Sequence, residues 1–460
     1  LVGHGHRSAL IRIGARSVME VTEKIGALAN LRLTKSRAMS SVHYDVLIIG
    51  GGTGGIMTAA QLRRKDKSLR IAIVEPSKVH WYQPAWTLVG AGTFSMKATR
   101  RDERDQIPEG VDWLQDAATT FEPEKSTLNT RSGRSYTYGH LVVSPGIKLD
   151  IDALPGLREA LETDTVCSNY VDPEKTLRVL RAFKGGTAVF TQPSTPIKCG
   201  GAPQKIAYLA DEYFRKHNVR DKTKLVFATP GSVIFGVEPF RFALEDVIRK
   251  KNIIFKPFYN PVRIDPMKKE IHFKWSKPGD NQCVITEDHG LNEKVEGEGT
   301  IVMKYDMLHL APPQSAPDFI KQSPLAHAEG PSKGWLEVDI HTLQHKRYPN
   351  IFGLGDVAAL PTAKTGAAIR TQAPVVVANI PQRIKDGALA SEQYSGYSSC
   401  PLVTGYGKML LAEFKYDNVR DSDPLLSRLF DTSKPLWSMW VLKKYGLPWL
   451  YWNKMLKGAM

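Results

Sequence analysis

A chain of 460 residues with 42% hydrophobic and 24% charged residues is long enough for two or three domains with sizeable cores, and it reads as an ordinary globular protein. Its formal net charge of +15 is spread without a dense basic run interleaved with aromatics, which excludes nucleic-acid binding and suits an anionic membrane surface or an acidic substrate. Cys167, Cys199, Cys283 and Cys400 are too few and too scattered for a secreted disulfide framework; none stands at C-x-x-C spacing, so no metal site is expected.

Residues 1–40 hold seven Arg or Lys against two Glu, with Ser and with apolar residues at helical spacing. That pattern describes a mitochondrial transit peptide or basic extension over 1–41. Next, "YDVLIIGGGTGGIMTAAQLRR" predicts a buried strand ending at Ile49, a G-x-G-x-x-G turn at Gly50, Gly52 and Gly55, and a helix. The glycines allow a tight turn and let the backbone approach a pyrophosphate at the helix N-terminus. A second strand, "RIAIVEP", ends in Glu75, whose carboxylate can accept hydrogen bonds from ribose hydroxyls.

Residues 158–312 repeat the βαβ rhythm, but the loop after their first strand is "TQPSTPIKCGG" and the second strand ends at Ala228-Thr229-Pro230. Prolines stand where a phosphate-cradling turn needs glycines, and no carboxylate waits for a ribose. NAD(P)H is therefore a poor candidate electron donor. Cys199 falls just past a strand end and near a helix N-terminus, beside Lys198, where a thiol pKa drops. Further on, residues 431–460 carry four of the nine tryptophans, five lysines and one acid. Such a segment suits helices lying at the lipid headgroup level, broken at Gly446 and Pro448. No stretch reaches the ~18 apolar residues of a spanning helix.

Two apolar strands, one running to Ser144-Pro145-Gly146 and one to Gly355-Asp356, resemble the short motifs by which two-domain flavoprotein disulfide reductases close around FAD. By that resemblance Asp356 hydrogen-bonds the ribityl chain, and the helix after it points its N-terminus at the flavin. The expected fold is α/β, with two Rossmann-like, glutathione-reductase-like domains. Residues 42–157 and 313–390 form the discontinuous FAD domain, 158–312 the inserted second domain, and 391–460 a C-terminal membrane-facing region.

From residue 43 onward the chain resembles the mitochondrial type of sulfide:quinone oxidoreductase, on "GGGTGGI", "VEPSKVHWYQPAWTLVGAG", "TPIKCGGAPQK", "LQHKRYPNIFGLGD", "LPTAKTGAA" and "SSCPLVTGY". The resemblance implies a flavoenzyme on the mitochondrial inner membrane that oxidises hydrogen sulfide, reduces ubiquinone and hands sulfane sulfur to a small thiol or sulfite. It implies Gly50, Gly52, Gly54, Gly55, Glu75, Gln83, Gly146, Asp356 and Lys364 at the cofactor, and Cys199 as a persulfide carrier. The partner cysteine is expected directly after the Gly-Asp pair, where this chain has Val357. Cys167 then stands as the replacement thiol, or Cys199 acts alone, or sulfide oxidation has been lost. Cys283 reads as a bystander and Cys400 as structural, and Tyr406 is a candidate quinone contact. An NAD(P)H:quinone reductase of the same fold and a non-catalytic flavin protein are the rival readings. Homo-oligomer formation is left open.

Overall fold

The computed structural model describes residues 42–277, 287–297 and 299–460; the basic N-terminal stretch and Cys283 lie outside them. Strand β1 (Val42–Ile49) is buried over its last four residues: Val46 and Ile48 pack against helix residues such as Ile56 and Ile369, and Leu47 and Ile49 against strand and loop residues such as Phe121, Leu128 and Leu336. Helix α1 (Thr53–Lys65) follows after the glycine turn and ends in Arg63, Arg64 and Lys65, which complement the negative end of its dipole. Strand β2 (Ile71–Val74) lies parallel to β1 with Val46 opposite Ile71. The sheet they nucleate has seven strands, in the order Val111–Leu114, β2, β1, Ser135–Val143, Thr127–Thr130, Ala118–Glu122. Ile351–Gly353 returns from far along the chain to pair in parallel with Ser135–Val143.

A second sheet is built on β3 (Gly186–Thr191), followed by helix α2 (Ala202–Lys216). Its five strands run in parallel in the order Val166–Cys167, Met307–Leu310, β3, Thr223–Thr229, Ile254–Pro257. In open parallel sheets ligands collect beyond the carboxyl ends of the strands. The glycine turn after β1 and the 192–201 loop after β3 both occupy such ends.

A hairpin formed by β4 (Ser398–Gly405) and Lys408–Phe414 packs on α2, with Leu402, Val403 and Met409 in one apolar core with Ile206, Leu209 and Phe214. The contact needs Gly201: its backbone (φ −84°) suits any residue, but a Cβ there would strike Leu402 and stand 3.4 Å from the Cys400 sulfur. At the C-terminus the expected break does not occur. Residues 437–455 form one helical run whose backbone stays helical at Gly446 (φ −67°), and two wider turns absorb the irregularity around Pro448. No described helix is long and apolar enough to cross a membrane.

Candidate active site

The first cradle forms where β1 turns into α1. Gly50 has φ +99°, and a Cβ on it would stand 2.5 Å from the Ser144 carbonyl oxygen; one on Gly55 would strike the Gly50 carbonyl. These glycines are required for the turn itself. Gly52 differs, with nothing within 4 Å of its missing Cβ, and Gly146 is equally open. Glu75 closes the loop from β2, accepting hydrogen bonds from Gly51 N (2.8 Å) and Ser77 N (2.7 Å). Burial nonetheless pushes the Glu75 carboxyl above its usual range. An open glycine turn at a helix N-terminus, with an acid at the next strand end, fits a dinucleotide cofactor.

The second cradle is a folded-over loop, not a phosphate turn. Gln314 N donates to Thr195 Oγ1 (3.0 Å), Lys198 N donates to Gln314 Oε1 (3.0 Å), and Cys199 N donates to the Lys364 carbonyl (2.7 Å). The Tyr170 hydroxyl binds the carbonyls of Lys198 and Cys199, each at 3.2 Å. So pinned, Cys199 adopts φ +52°, an unfavourable backbone for a residue with a side chain, and its carbonyl accepts from Ala202 N (2.8 Å) at the start of α2.

The Cys199 thiol faces Lys205 and Cys400. Lys205 Nζ lies 3.1 Å from the Cys199 sulfur, and the Cys400 thiol donates to that same sulfur. These two effects overcome burial and hold Cys199 well below the usual thiol range, so it is the thiolate of the pair. Cys400, 1% exposed, is held well above the thiol range by its bond to Cys199 and by burial. For Lys205, burial favours the neutral form, but the two sulfurs outweigh it and keep the ammonium. Lys443, from the C-terminal run, is buried nearby with its Nζ 2.9 Å from the Pro84 carbonyl; burial and the Lys205 charge push it down to about 7.

Of the other described cysteines, one stands at Cys199 and one does not. Cys400, read as structural, is the thiol bonded to Cys199. Cys167 is not: it lies buried in its strand beside Thr176, Lys175 and Asp172, where burial pushes it up to about 12. The position after Gly-Asp does not face the thiols either, for Val357 is fully buried in an apolar cluster with Leu336 and Ala358. Sequence reasoning also missed Lys205 and Lys443. For Cys400 the available signal was "SSCPLVTGY", a family stretch that contains it.

Gln83, Asp356 and Lys364 gather around Lys198. Lys198 Nζ donates to Gln83 Oε1 (2.6 Å), lies 5.8 Å from the Trp86 ring centroid and offsets part of the burial that raises the Asp356 carboxyl. Lys364 donates to the Ala358 carbonyl (2.8 Å), covers Trp335 at 4.2 Å and is pushed by burial to about 8. Gly355, Asp356, Lys364, Thr365, Ala368 and Gln372 line a cavity at the start of the helix Gly366–Asp386, which Thr365 caps through Ala368 N (3.2 Å). Tyr406 instead ties the hairpin down, donating from its hydroxyl to the Ala91 carbonyl (2.9 Å).

A mixed sheet and a parallel one, a dinucleotide cradle and a thiol pair beside an acid–lysine cavity are the features of a flavin-dependent oxidoreductase, and the family model for pyridine nucleotide-disulphide oxidoreductases matches residues 44–181. A mitochondrial sulfide:quinone oxidoreductase of Mus musculus is 42% identical, over 90% of this chain and 87% of its own. Its namesake in Dictyostelium discoideum is 43% identical, over 90% and 86%. The chain belongs to the mitochondrial sulfide:quinone oxidoreductase family. Among solved structures, the Aquifex aeolicus sulfide:quinone oxidoreductase shares the fold at a TM-score of 0.68 and 21% identity, covering 90% of this chain and 92% of its own. A chain of the Tetrahymena thermophila mitochondrial ATP synthase structure does so at 0.75 and 20%, covering 93% and 99%.

Proposed function

We propose that this protein oxidises hydrogen sulfide at the Cys199–Cys400 pair, with FAD as its flavin and ubiquinone as its electron acceptor. The observation that carries the reading is the Cys199 sulfur, 3.1 Å from Lys205 Nζ with the Cys400 thiol beside it, on a loop whose backbone is fastened to the Lys364 carbonyl. Bound FAD supplies the two-electron acceptor that takes the charge released as sulfide becomes sulfane sulfur and relays it to quinone.

The residues do the rest. Cys199 carries the sulfane sulfur as a persulfide, and Lys205 stabilises the anion before and after sulfur arrives. Cys400 holds a proton against Cys199 and is the neighbouring sulfur with which the persulfide exchanges before a small thiol or sulfite removes it. Gly50, Gly52, Gly54 and Gly55 admit the pyrophosphate, Glu75 supports the loop and the ribose, and Gly146 leaves room beside it. Asp356, Lys364 and Gln83 would hold the flavin. The pinned 192–201 loop leaves no glycine turn for a nicotinamide dinucleotide, which disfavours an NAD(P)H:quinone reductase. On the C-terminal run, Trp437 (70% exposed), Tyr445 and Trp449 (55%) point outward as a headgroup-level face for the mitochondrial inner membrane, where quinone resides.

The test is the visible spectrum under anaerobic sulfide, followed by a ubiquinone analogue. Native protein and Cys167→Ser are expected to bleach the oxidised flavin band and recover it; Cys199→Ser and Cys400→Ser are expected to lose sulfide bleaching by at least roughly a hundredfold in rate. Retained bleaching in Cys400→Ser, or its loss in Cys167→Ser, would return the partner role to Cys167.

A further inference from the structure

The C-terminal run does more than present aromatic rings. Tyr451, 5% exposed, places its hydroxyl 2.5 Å from His80 Nε2 and 2.9 Å from Thr53 Oγ1. On the other side of the ring, His80 Nδ1 lies 3.1 Å from the Gly51 carbonyl and 3.3 Å from Glu103 Oε2. Both of those are acceptors, so Nδ1 carries a hydrogen, and in the neutral ring Nε2 accepts from the Tyr451 hydroxyl. The Tyr451 oxygen in turn accepts from Thr53. The result is a one-directional chain, Thr53 to Tyr451 to His80 to Gly51 and Glu103, whose two ends sit on either side of Gly52.

The same segment follows α1 further. Gln61 Nε2 donates to the Met460 carbonyl at 2.5 Å and Arg64 to the Lys457 carbonyl at 3.3 Å. Gly458 comes so close that a Cβ on it would stand 2.8 Å from Gln61 N. Arg101, on the hairpin that carries His80, covers Trp452 at 4.9 Å. The tail thus fastens both the turn and the helix of the dinucleotide cradle.

We propose that the C-terminal segment is a clasp that sets how tightly the glycine turn holds its flavin cofactor, with Tyr451 as the positioning residue, so that membrane docking of the segment and cofactor binding strengthen one another. The coupling half rests on the membrane reading given above; the clasp half does not. Without the Tyr451 hydroxyl, His80 keeps a buried polar atom with no partner, Thr53 loses its link to the tail, and the turn is free to relax. Coupling between two binding events is reciprocal, so what docking does for flavin, flavin does for docking.

The experiment titrates FAD into flavin-stripped protein and follows quenching of flavin fluorescence, with and without phosphatidylcholine–cardiolipin vesicles. Tyr451→Phe and His80→Gln are expected to weaken FAD binding about tenfold, roughly the value of one lost buried hydrogen bond, beyond the modest drop in apoprotein melting temperature that the same lost bond brings. Asn453→Ala, exposed on the same run and outside the chain of bonds, is expected to match the native protein. Vesicles should tighten FAD binding in native protein and leave Tyr451→Phe unchanged, a response that a merely structural tyrosine would not produce. Native-like FAD affinity in Tyr451→Phe overturns the clasp. Vesicle binding that leaves native FAD affinity unmoved overturns the coupling. Failure of native protein to bind vesicles removes the membrane reading, while a weakened Tyr451→Phe would still establish the clasp.

Discussion

At Cys199 three separate features serve one charge. The left-handed backbone aims the side chain, Cys400 donates to its sulfur, and Lys205 supplies a buried cation at 3.1 Å. The lysine is the informative one to remove, because Met keeps most of its apolar stem and drops the ammonium, its charge and its hydrogen bond together. With the folded thiol pKa below its ordinary value, the thiolate is present at lower pH than in a free cysteine, and acidification through that folded pKa protonates it. Alkylation of Cys199 by iodoacetamide should therefore stay fast at neutral pH and fall only on further acidification. In Lys205→Met the whole profile should move to higher pH, with alkylation at pH 7 slowed roughly tenfold or more. Mass-spectrometric mapping of the modified cysteine against pH measures this, and an unmoved profile would mean that Cys400 alone holds the anion.

Among the elements, the hairpin of β4 and its partner strand matters most, because it delivers Cys400. Its approach to α2 depends on the missing Cβ of Gly201. Since the backbone there suits any residue, Gly201→Ala costs only what overpacking costs, about 1–3 kcal/mol. It should lower the melting temperature and also slow sulfide bleaching by displacing Cys400, while the visible flavin band stays; thermal unfolding and the anaerobic spectrum read the two effects separately. The same element shows what the sequence could reveal. The first cradle was legible because strand, Gly50, Gly55, helix and Glu75 act within one short βαβ stretch, each by local geometry. Cys400 was not, since only the packing of a distant hairpin on α2 brings it to Cys199. Lys205 was hidden by its place among buried apolar positions of a helix, where a lysine is rarely found without a partner. Val357 misled for the opposite reason: a familiar turn suggested its role, but its side chain turns into an apolar cluster. Gly446 and Pro448 suggested a break that the wider helical turns make unnecessary.

On the membrane reading proposed above, the question for the whole molecule is how its excess of Lys and Arg and the C-terminal rings divide the work of holding a membrane. The charge is a long-range attraction to anionic lipid, screened over ~8 Å at physiological salt, so it speeds arrival more than it fixes position. The rings act at contact. Trp437 and Trp449 lie outward on the run, Lys454 lies 5.9 Å from the Trp449 ring centroid, and Lys444 stands 5.4 Å from that of Tyr445, a pairing that keeps each cation at the polar edge while the ring sinks. Burying each exposed tryptophan face is worth roughly 1–2 kcal/mol. Replacing both by Ser should then weaken partitioning onto phosphatidylcholine–cardiolipin vesicles by at least roughly tenfold. Because that loss is apolar, it should persist at high salt, where the native protein loses only its electrostatic share. Vesicle flotation at low and high salt separates the two contributions. Equal binding of the double variant and the native protein would place the membrane face elsewhere, and the exposed Leu425 and Leu429 of the preceding helix Pro424–Leu429 would be the next surface to change.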